Sequence, residues 1–231
     1  AAEYLETRGI TPNILSKYGA GYSSSMFTAL TELGSQKGYD MATMEKAGLI
    51  TRKEDGKIFD RFVNRITFPF YSLSGLVIGF TGRSLEKDTQ CKYLNSPETP
   101  LFHKGKTLFG IYQARQEISK SDKCYLVEGQ FDVLSFVQSS YPNTVCGSGT
   151  ALTLDQVRII KKFTRNITAV YDGDAAGMKA SVRNMDIMLA EGMNVRAVLL
   201  PEGEDPDSFA RKMGTEKLAK FLKKQETDFI S

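Results

Sequence analysis

The sequence predicts an α/β protein, with an α+β N-terminal part followed by a parallel sheet flanked by helices. Three observations predict it. The first fifty residues carry apolar positions at helical spacing. From Thr51 the period changes to alternation, with many aromatic and β-branched residues. From about Ser121, short apolar runs alternate with amphipathic stretches.

In the first part, "TPNILSKYG" opens with Thr11 as a cap and Pro12 at the first helical position, and Gly19 closes it. "SSMFTALTELGSQKG" places Met26, Phe27, Leu30 and Leu33 at helical spacing before Gly34 and Gly38. "DMATMEKAGLI" has Asp40 as cap and Gly48 as stop. "KIFDRFVNRITFPFYS" and "GLVIGFTGRS" then read as strands joined by a turn at Ser74-Gly75. "TLFGIYQARQEIS" returns to helical spacing, with Leu108, Ile111, Tyr112 and Ile118 apolar.

The second part reads strand, helix, strand, helix, strand, helix, strand. The strands are "KCYLVEG", "NTVCGSGTA", "NITAVYDGD" and "NVRAVLLPEG". The helices are "QFDVLSFVQSS", "LTLDQVRIIKKF" and "AAGMKASVRNMDIMLAEG". Such alternation argues for parallel strands joined by right-handed crossovers. The tail "DSFARKMGTEKLAKFLKKQETDFIS" reads as helical. We therefore expect an N-terminal subdomain over 1–120, an α/β subdomain over 121–212, and the start of a helical segment over 213–231.

Composition narrows the class. The chain has 231 residues, 41% of them hydrophobic and 25% charged, which suits one or two soluble domains. No apolar run approaches the ~20 residues of a membrane helix. Cys91, Cys124 and Cys146 form no CxxC pair, which argues against a zinc ribbon or a disulfide framework and for a reducing cytoplasm. His103 is the single histidine, so His-rich metal sites are excluded. The net charge of +3 is unevenly spread: residues 51–120 hold 12 Lys+Arg against 7 Asp+Glu, a basic stretch fit for phosphates or for a solvated face. The chain opens without Met on "AAEYLETRGIT" and reads as a piece of something longer.

Acids gather where the strands end. Glu128 follows the first strand, with Asp132 four residues later. Asp172 and Asp174 follow the third, and Asp205 and Asp207 follow the fourth. Ligands of open parallel sheets bind beyond these carboxyl ends. Two charges brought to ~4 Å repel by about 4 kcal/mol at an effective dielectric near 20. Mg²⁺, an oxygen-seeking cation that keeps phosphates in its shell, offsets that repulsion. A lone DxD is more often a turn or cap than a metal site. Three acidic strand ends in one sheet make the metal reading the stronger one. "GSGTALT" lacks the GxxxxGK[ST] pattern and reads equally as a tight strand-to-helix turn.

Taken in order, "EGQFDVLS", "GSGTALT", "VYDGDAAGMKA" and "LPEGEDPDSF" closely resemble the Toprim module of bacterial DnaG-type primases. "DRFVNRITFPFYSLSGLVIGFTGRSL" resembles the primase-specific basic segment, and "KYLNSPETPLFHKGKTLFGIYQA" resembles the family's most distinctive motif. The resemblance runs from about Tyr4 past Phe209. It implies a core that makes short RNA primers from NTPs on a single-stranded DNA template, at the bacterial replication fork in the cytoplasm.

By that resemblance Glu128 is the general acid or base, and Asp172 and Asp174 are catalytic metal ligands. Glu128, Asp132, Asp205 and Asp207 complete the metal set for two or more Mg²⁺ or Mn²⁺ ions, with no zinc. Arg65, Arg83, Lys92, Tyr93, Asn95 and Lys104 contact nucleic acid or nucleotide, with Ser96 and His103 in the same motif. A zinc-binding module and the replicative helicase are expected as partners only through domains absent here. Two other readings share the motifs: Toprim-type DNA cleavage, as in a topoisomerase or nuclease, and a non-catalytic fragment that binds single strands.

Overall fold

The computed structural model describes residues 1–86, 89–149, 151–173 and 175–228. They divide into two compact units: Ala1–Arg8 with Leu15–Lys104, and Gly9–Ile14 with Gly105–Ser231.

The first unit opens with helix α1 (Ala2–Thr7). Helix α2 (Pro12–Lys17) crosses the division and begins on its proline, as expected. Strand β1 (Gly21–Ser23) follows, inside a stretch read from sequence as helical. It exists because β4 (Arg65–Tyr71) offers it an antiparallel edge, Gly21 facing Thr67 and Ser23 facing Arg65. No local period announces a three-residue edge strand.

Helices α3 (Ala29–Gln36) and α4 (Met41–Lys46) come next, then the hairpin of β2 (Ile50–Arg52) and β3 (Ile58–Asp60). Asp40 caps α4, accepting from the Thr43 N–H at 2.9 Å. The N-terminus of α3 is capped from outside by Asp60, which accepts from the Leu30 N–H at 2.6 Å and the Thr31 N–H at 2.9 Å. Met26, Phe27, Leu30 and Leu33 are all exposed, so their helical spacing marks a surface patch.

Strand β5 (Val77–Ser84) pairs with β4 through the expected turn, where Gly75 takes φ +90°. β6 (Tyr93–Asn95) completes an antiparallel sheet of order β1-β4-β5-β6. Its core is aromatic: Phe68, Phe70 and Phe102 are fully buried, and the Phe70 and Phe102 rings lie 4.9 Å apart. Burying each ring contributes about 2–3 kcal/mol.

The second unit is the α/β part. Helix α5 (Ile111–Ser121) starts two residues past Phe109, after Gly110 at φ +82°. Leu108 and Phe109 therefore precede the helix instead of lying in it, and Phe109 bridges to Cys146. Then come β7 (Cys124–Val127), α6 (Gln130–Gln138), β8 (Thr144–Cys146), α7 (Leu154–Lys161), β9 (Asn166–Tyr171), α8 (Ala175–Ala190), β10 (Asn194–Leu199) and α9 (Pro206–Gln225).

The strand order β8-β7-β9-β10 is parallel throughout. β7 and β8 are buried along their whole length, as strands covered on both faces must be. A two-residue strand, β11 (Thr227–Asp228), adds antiparallel to β10 within a tail read as helical. α9 is itself two helices across a kink at Gly214 (φ +68°, ψ +168°). Among the described residues no helix is long and apolar enough to cross a membrane.

Candidate functional site

The parallel sheet delivers its acids to one rim because every strand of a parallel sheet points the same way. β7 ends at Val127 and hands over Glu128, which is exposed. β9 ends at Tyr171 and hands over Asp172, which is half-buried. β10 leads through Pro201 to Asp205 and Asp207, at the start of α9. The second acid of the Asp172–Asp174 pair, Asp174, lies outside the described residues.

Asp132 is at the centre of the cluster. It stands in the first turn of α6, and its Oδ2 accepts from the Gly129 N–H at 2.7 Å. Its Oδ1 accepts from the Asp207 N–H at 3.1 Å. Burial pushes its carboxyl up to about 8, the neighbouring charges of Asp205, Asp172 and Asp207 push the same way, and only the Gly129 N–H opposes them. The structure thus brings Asp132, Asp172, Asp205 and Asp207 into one electrostatic neighbourhood. Glu128 acts on Tyr171, the last residue of β9: burial pushes that phenol up to about 12, and the Glu128 charge adds to the shift.

Asp207 is buried and fully engaged. The Ser135 hydroxyl donates to its Oδ1 at 2.5 Å, and Arg211 donates to both oxygens at 3.1 and 3.4 Å. Asp205 caps α9, accepting from the Ser208 N–H at 2.6 Å. Ser135 and Arg211 escaped the sequence reading, although Arg211 stands at i+4 from Asp207 and so had a readable signal.

Gly173 explains the spacer between the two acids of "DGD". A Cβ there would lie 2.0 Å from the Pro201 carbonyl oxygen and 2.6 Å from that of Leu200. Its N–H donates to the Glu204 carbonyl at 3.2 Å. Only a residue without a side chain lets the β9 loop and the β10 loop approach this closely.

The donor set is all oxygen, which fits a hard divalent cation such as Mg²⁺ or Mn²⁺. A carboxyl held protonated by burial, and further by its acidic neighbours, is what such a cation would relieve. Among the described residues no three His, Cys, Asp or Glu side chains already stand as a ligand set. The "GSGTALT" segment runs into a strand-to-helix junction: Thr153 caps α7, its Oγ1 accepting from the Gln156 N–H at 3.2 Å.

In the first unit the basic residues are held more tightly than the sequence suggests. One guanidinium nitrogen of Arg65 donates to the carbonyls of Gly82, Cys91 and Lys92 at 3.2, 3.0 and 3.4 Å. Arg61 donates twice to the Asn95 carbonyl, at 3.0 and 2.7 Å. Arg83 is buried and donates to the Tyr93 hydroxyl at 2.8 Å.

Lys92 and Tyr93 are exposed, with Tyr93 directly opposite Arg83 across β5 and β6. The Lys104 N–H donates to Glu98 at 2.9 Å, and Nδ1 of His103 lies 3.0 Å from the same carboxylate. The Lys104 N–H chiefly holds the Glu98 carboxyl below its ordinary value.

Comparison with known proteins follows the two units. A family model described as "DNA primase catalytic core, N-terminal domain" matches residues 1–115, and one described as "Toprim-like" matches residues 125–210. The chain is 39% identical over 218 residues to the DNA primase of Halalkalibacterium halodurans, covering 94% of this chain and 36% of that one. It thus spans little more than a third of the length of the curated relatives it matches.

A crystal structure of a DNA primase domain from Pseudomonas aeruginosa superposes with a TM-score of 0.90 at 37% identity, over 98% of this chain and 71% of that one. A DnaG primase catalytic domain bound to ssDNA superposes with a TM-score of 0.88 at 33% identity, over 98% and 74%.

Proposed function

This chain belongs to the family of DnaG-type DNA primase catalytic cores, and on that premise we propose that it catalyses DNA-templated synthesis of short RNA primers by nucleotidyl transfer. The supporting observation is the convergence of Asp132, Asp172, Asp205 and Asp207 from three strand ends. In the reaction a primer 3′-hydroxyl attacks the α-phosphate of an incoming NTP, and pyrophosphate leaves.

When bound, Mg²⁺ or Mn²⁺, in two or more ions, neutralises the charge developing on that phosphate. Glu128, Asp172, Asp174 and Asp205 would hold the ions. Asp132 and Asp207, with both carboxyl oxygens already accepting hydrogen bonds, support that rim from behind. Glu128, exposed at its strand end, would move the proton of the attacking hydroxyl. In the first unit Lys92, Tyr93 and Lys104 bind nucleotide or template directly. Arg65, Arg83 and Asn95 shape the strand pair beside Lys92 and Tyr93.

Functionally we divide the chain at the same positions as the sequence reading: 1–120, 121–212 and 213–231. Single-stranded DNA is the template, and NTPs and the growing RNA primer are the other substrates. The reaction belongs at the replication fork in the bacterial cytoplasm. A zinc-binding module and the replicative helicase would be its protein partners. The test is primer synthesis on single-stranded DNA with Mg²⁺ or Mn²⁺. Asp172→Ala is expected to abolish synthesis, and undiminished synthesis in that variant refutes the assignment.

A further inference from the structure

Helix α1 buries no residue, yet at six residues it is too short to persist without tertiary contacts. Its contacts are specific. The guanidinium of Arg83 lies 5.0 Å from the centroid of the Tyr4 ring and 5.2 Å from that of Tyr93. The guanidinium of Arg8, at the end of α1, lies over the same Tyr4 ring at 5.3 Å. Arg8, Tyr4, Arg83 and Tyr93 therefore form a four-member series in which cation and ring alternate. Arg83 is 8% exposed, whereas Tyr93 at the end of the series is 40% exposed.

We propose that Tyr4 and Arg8 are positioning residues for nucleic-acid binding, fixing Arg83 and through it the plane of Tyr93 as a stacking platform for a nucleobase. A guanidinium is attracted to the face of an aromatic ring, and the attraction grows as water is excluded. Arg83 is both desolvated and tied by its hydrogen bond to the Tyr93 hydroxyl, so it transmits the orientation of Tyr4 to Tyr93. An exposed ring locked in one orientation stacks a base at lower entropic cost than one free to turn. A helix outside the sheet thus tunes a residue that sequence motifs assign to the sheet. The inference rests on the reading of Tyr93 as a nucleic-acid contact.

The experiment measures binding of the intact chain to single-stranded DNA carrying 2-aminopurine, whose fluorescence falls on stacking. Anisotropy gives affinity and its salt dependence in the same titration. Tyr4→Leu is expected to weaken binding roughly tenfold and to reduce quenching in the saturated complex. The slope of log K against log salt should not change, because no phosphate contact is lost. Tyr4→Phe keeps the ring and should retain both signals.

Tyr93→Leu tests the premise. If it loses quenching while Tyr4→Leu behaves as wild type, the role of Tyr4 is overturned and the premise stands. If Tyr93→Leu itself leaves quenching intact, the premise fails and the positioning role with it. Should Tyr4→Leu lose its helical circular dichroism, Arg8→Gln carries the test: a two- to threefold loss of affinity with partial loss of quenching supports the role, and wild-type behaviour overturns it.

Discussion

The backbone N–H of Asp207 donates to Oδ1 of Asp132 over 3.1 Å, joining residues 75 positions apart. This bond ties the first turn of α9 to the first turn of α6. With the Gly129 N–H on the other oxygen, Asp132 accepts one donor from the turn after β7 and one from the first turn of α9. It acts as a staple in the rim as well as a member of its acid cluster.

Removing that staple leaves one buried N–H, of Asp207, and one half-buried N–H, of Gly129, without their acceptors. Asp132→Ala is expected to cost about 1–3 kcal/mol for each stranded donor and to lower primer synthesis. Denaturant melts read beside the synthesis assay check this. Wild-type stability in the variant would show that the two bonds carry no weight.

The same residue predicts a pH dependence. Its carboxyl is pushed up from 3.8 to about 8 in the fold, so the folded state holds the proton more tightly than the unfolded chain. For this group stability is fully present below the unfolded value. It declines as pH rises from about 4 and is lost by the time pH passes about 8. In metal-free protein the melting temperature of the wild type should fall from pH 6 to pH 8 relative to that of Asp132→Asn. Saturating Mg²⁺ should flatten the difference by favouring the ionised cluster.

Gly173→Ala places a methyl group 2.0 Å from a carbonyl oxygen of the backbone. Neither the β9 loop nor the β10 loop yields as a side-chain tip would, so the expected cost is about 1–3 kcal/mol or more. Synthesis should fall further than stability alone explains, because Asp172 and Asp205 ride on the two loops forced apart. Thermal melting with a kcat measurement separates the two effects.

Glu128→Gln tests an exposed group at the same rim. Exposed as Glu128 is, the variant should melt close to the wild type while kcat falls by about 10²–10⁴. A kcat within threefold of wild type would remove Glu128 from the chemistry.

Arg65 offers a contrast between holding and binding. It donates to three backbone carbonyls, and a lysine's point charge does not reproduce that fan of donors. Arg65→Lys is therefore expected to lose about 1–3 kcal/mol of stability and to leave the salt slope of DNA binding unchanged. Lys92→Ala should show the opposite pattern: wild-type stability and a salt slope reduced by about one.

How legible all this was depends on the range of the interaction. The strand-and-helix alternation after Ser121 was readable because periodicity is local. β7, β8, β9 and β10 appear where short apolar runs stand in the chain. β1 and β11 were not readable, since each is a strand only because a distant edge is available to pair with it.

At the candidate site the acids were legible as strand-end residues, and four of them do converge. The Ser135 hydroxyl on Asp207 and the Tyr4 ring under Arg83 were not, because nothing within a few residues of either announces its partner.

The sequence by itself determined the class of fold, the identity of the acids and the placement of positive charge, since each follows from which residues stand where along the strands. Only the tertiary structure decided what each group is committed to. Asp132 and Asp207 both spend their oxygens on hydrogen bonds within the rim, and Arg65 spends its donors on backbone carbonyls. The physical reason is that a buried polar group takes the nearest partner the fold supplies. Here that partner is often brought from tens of residues away.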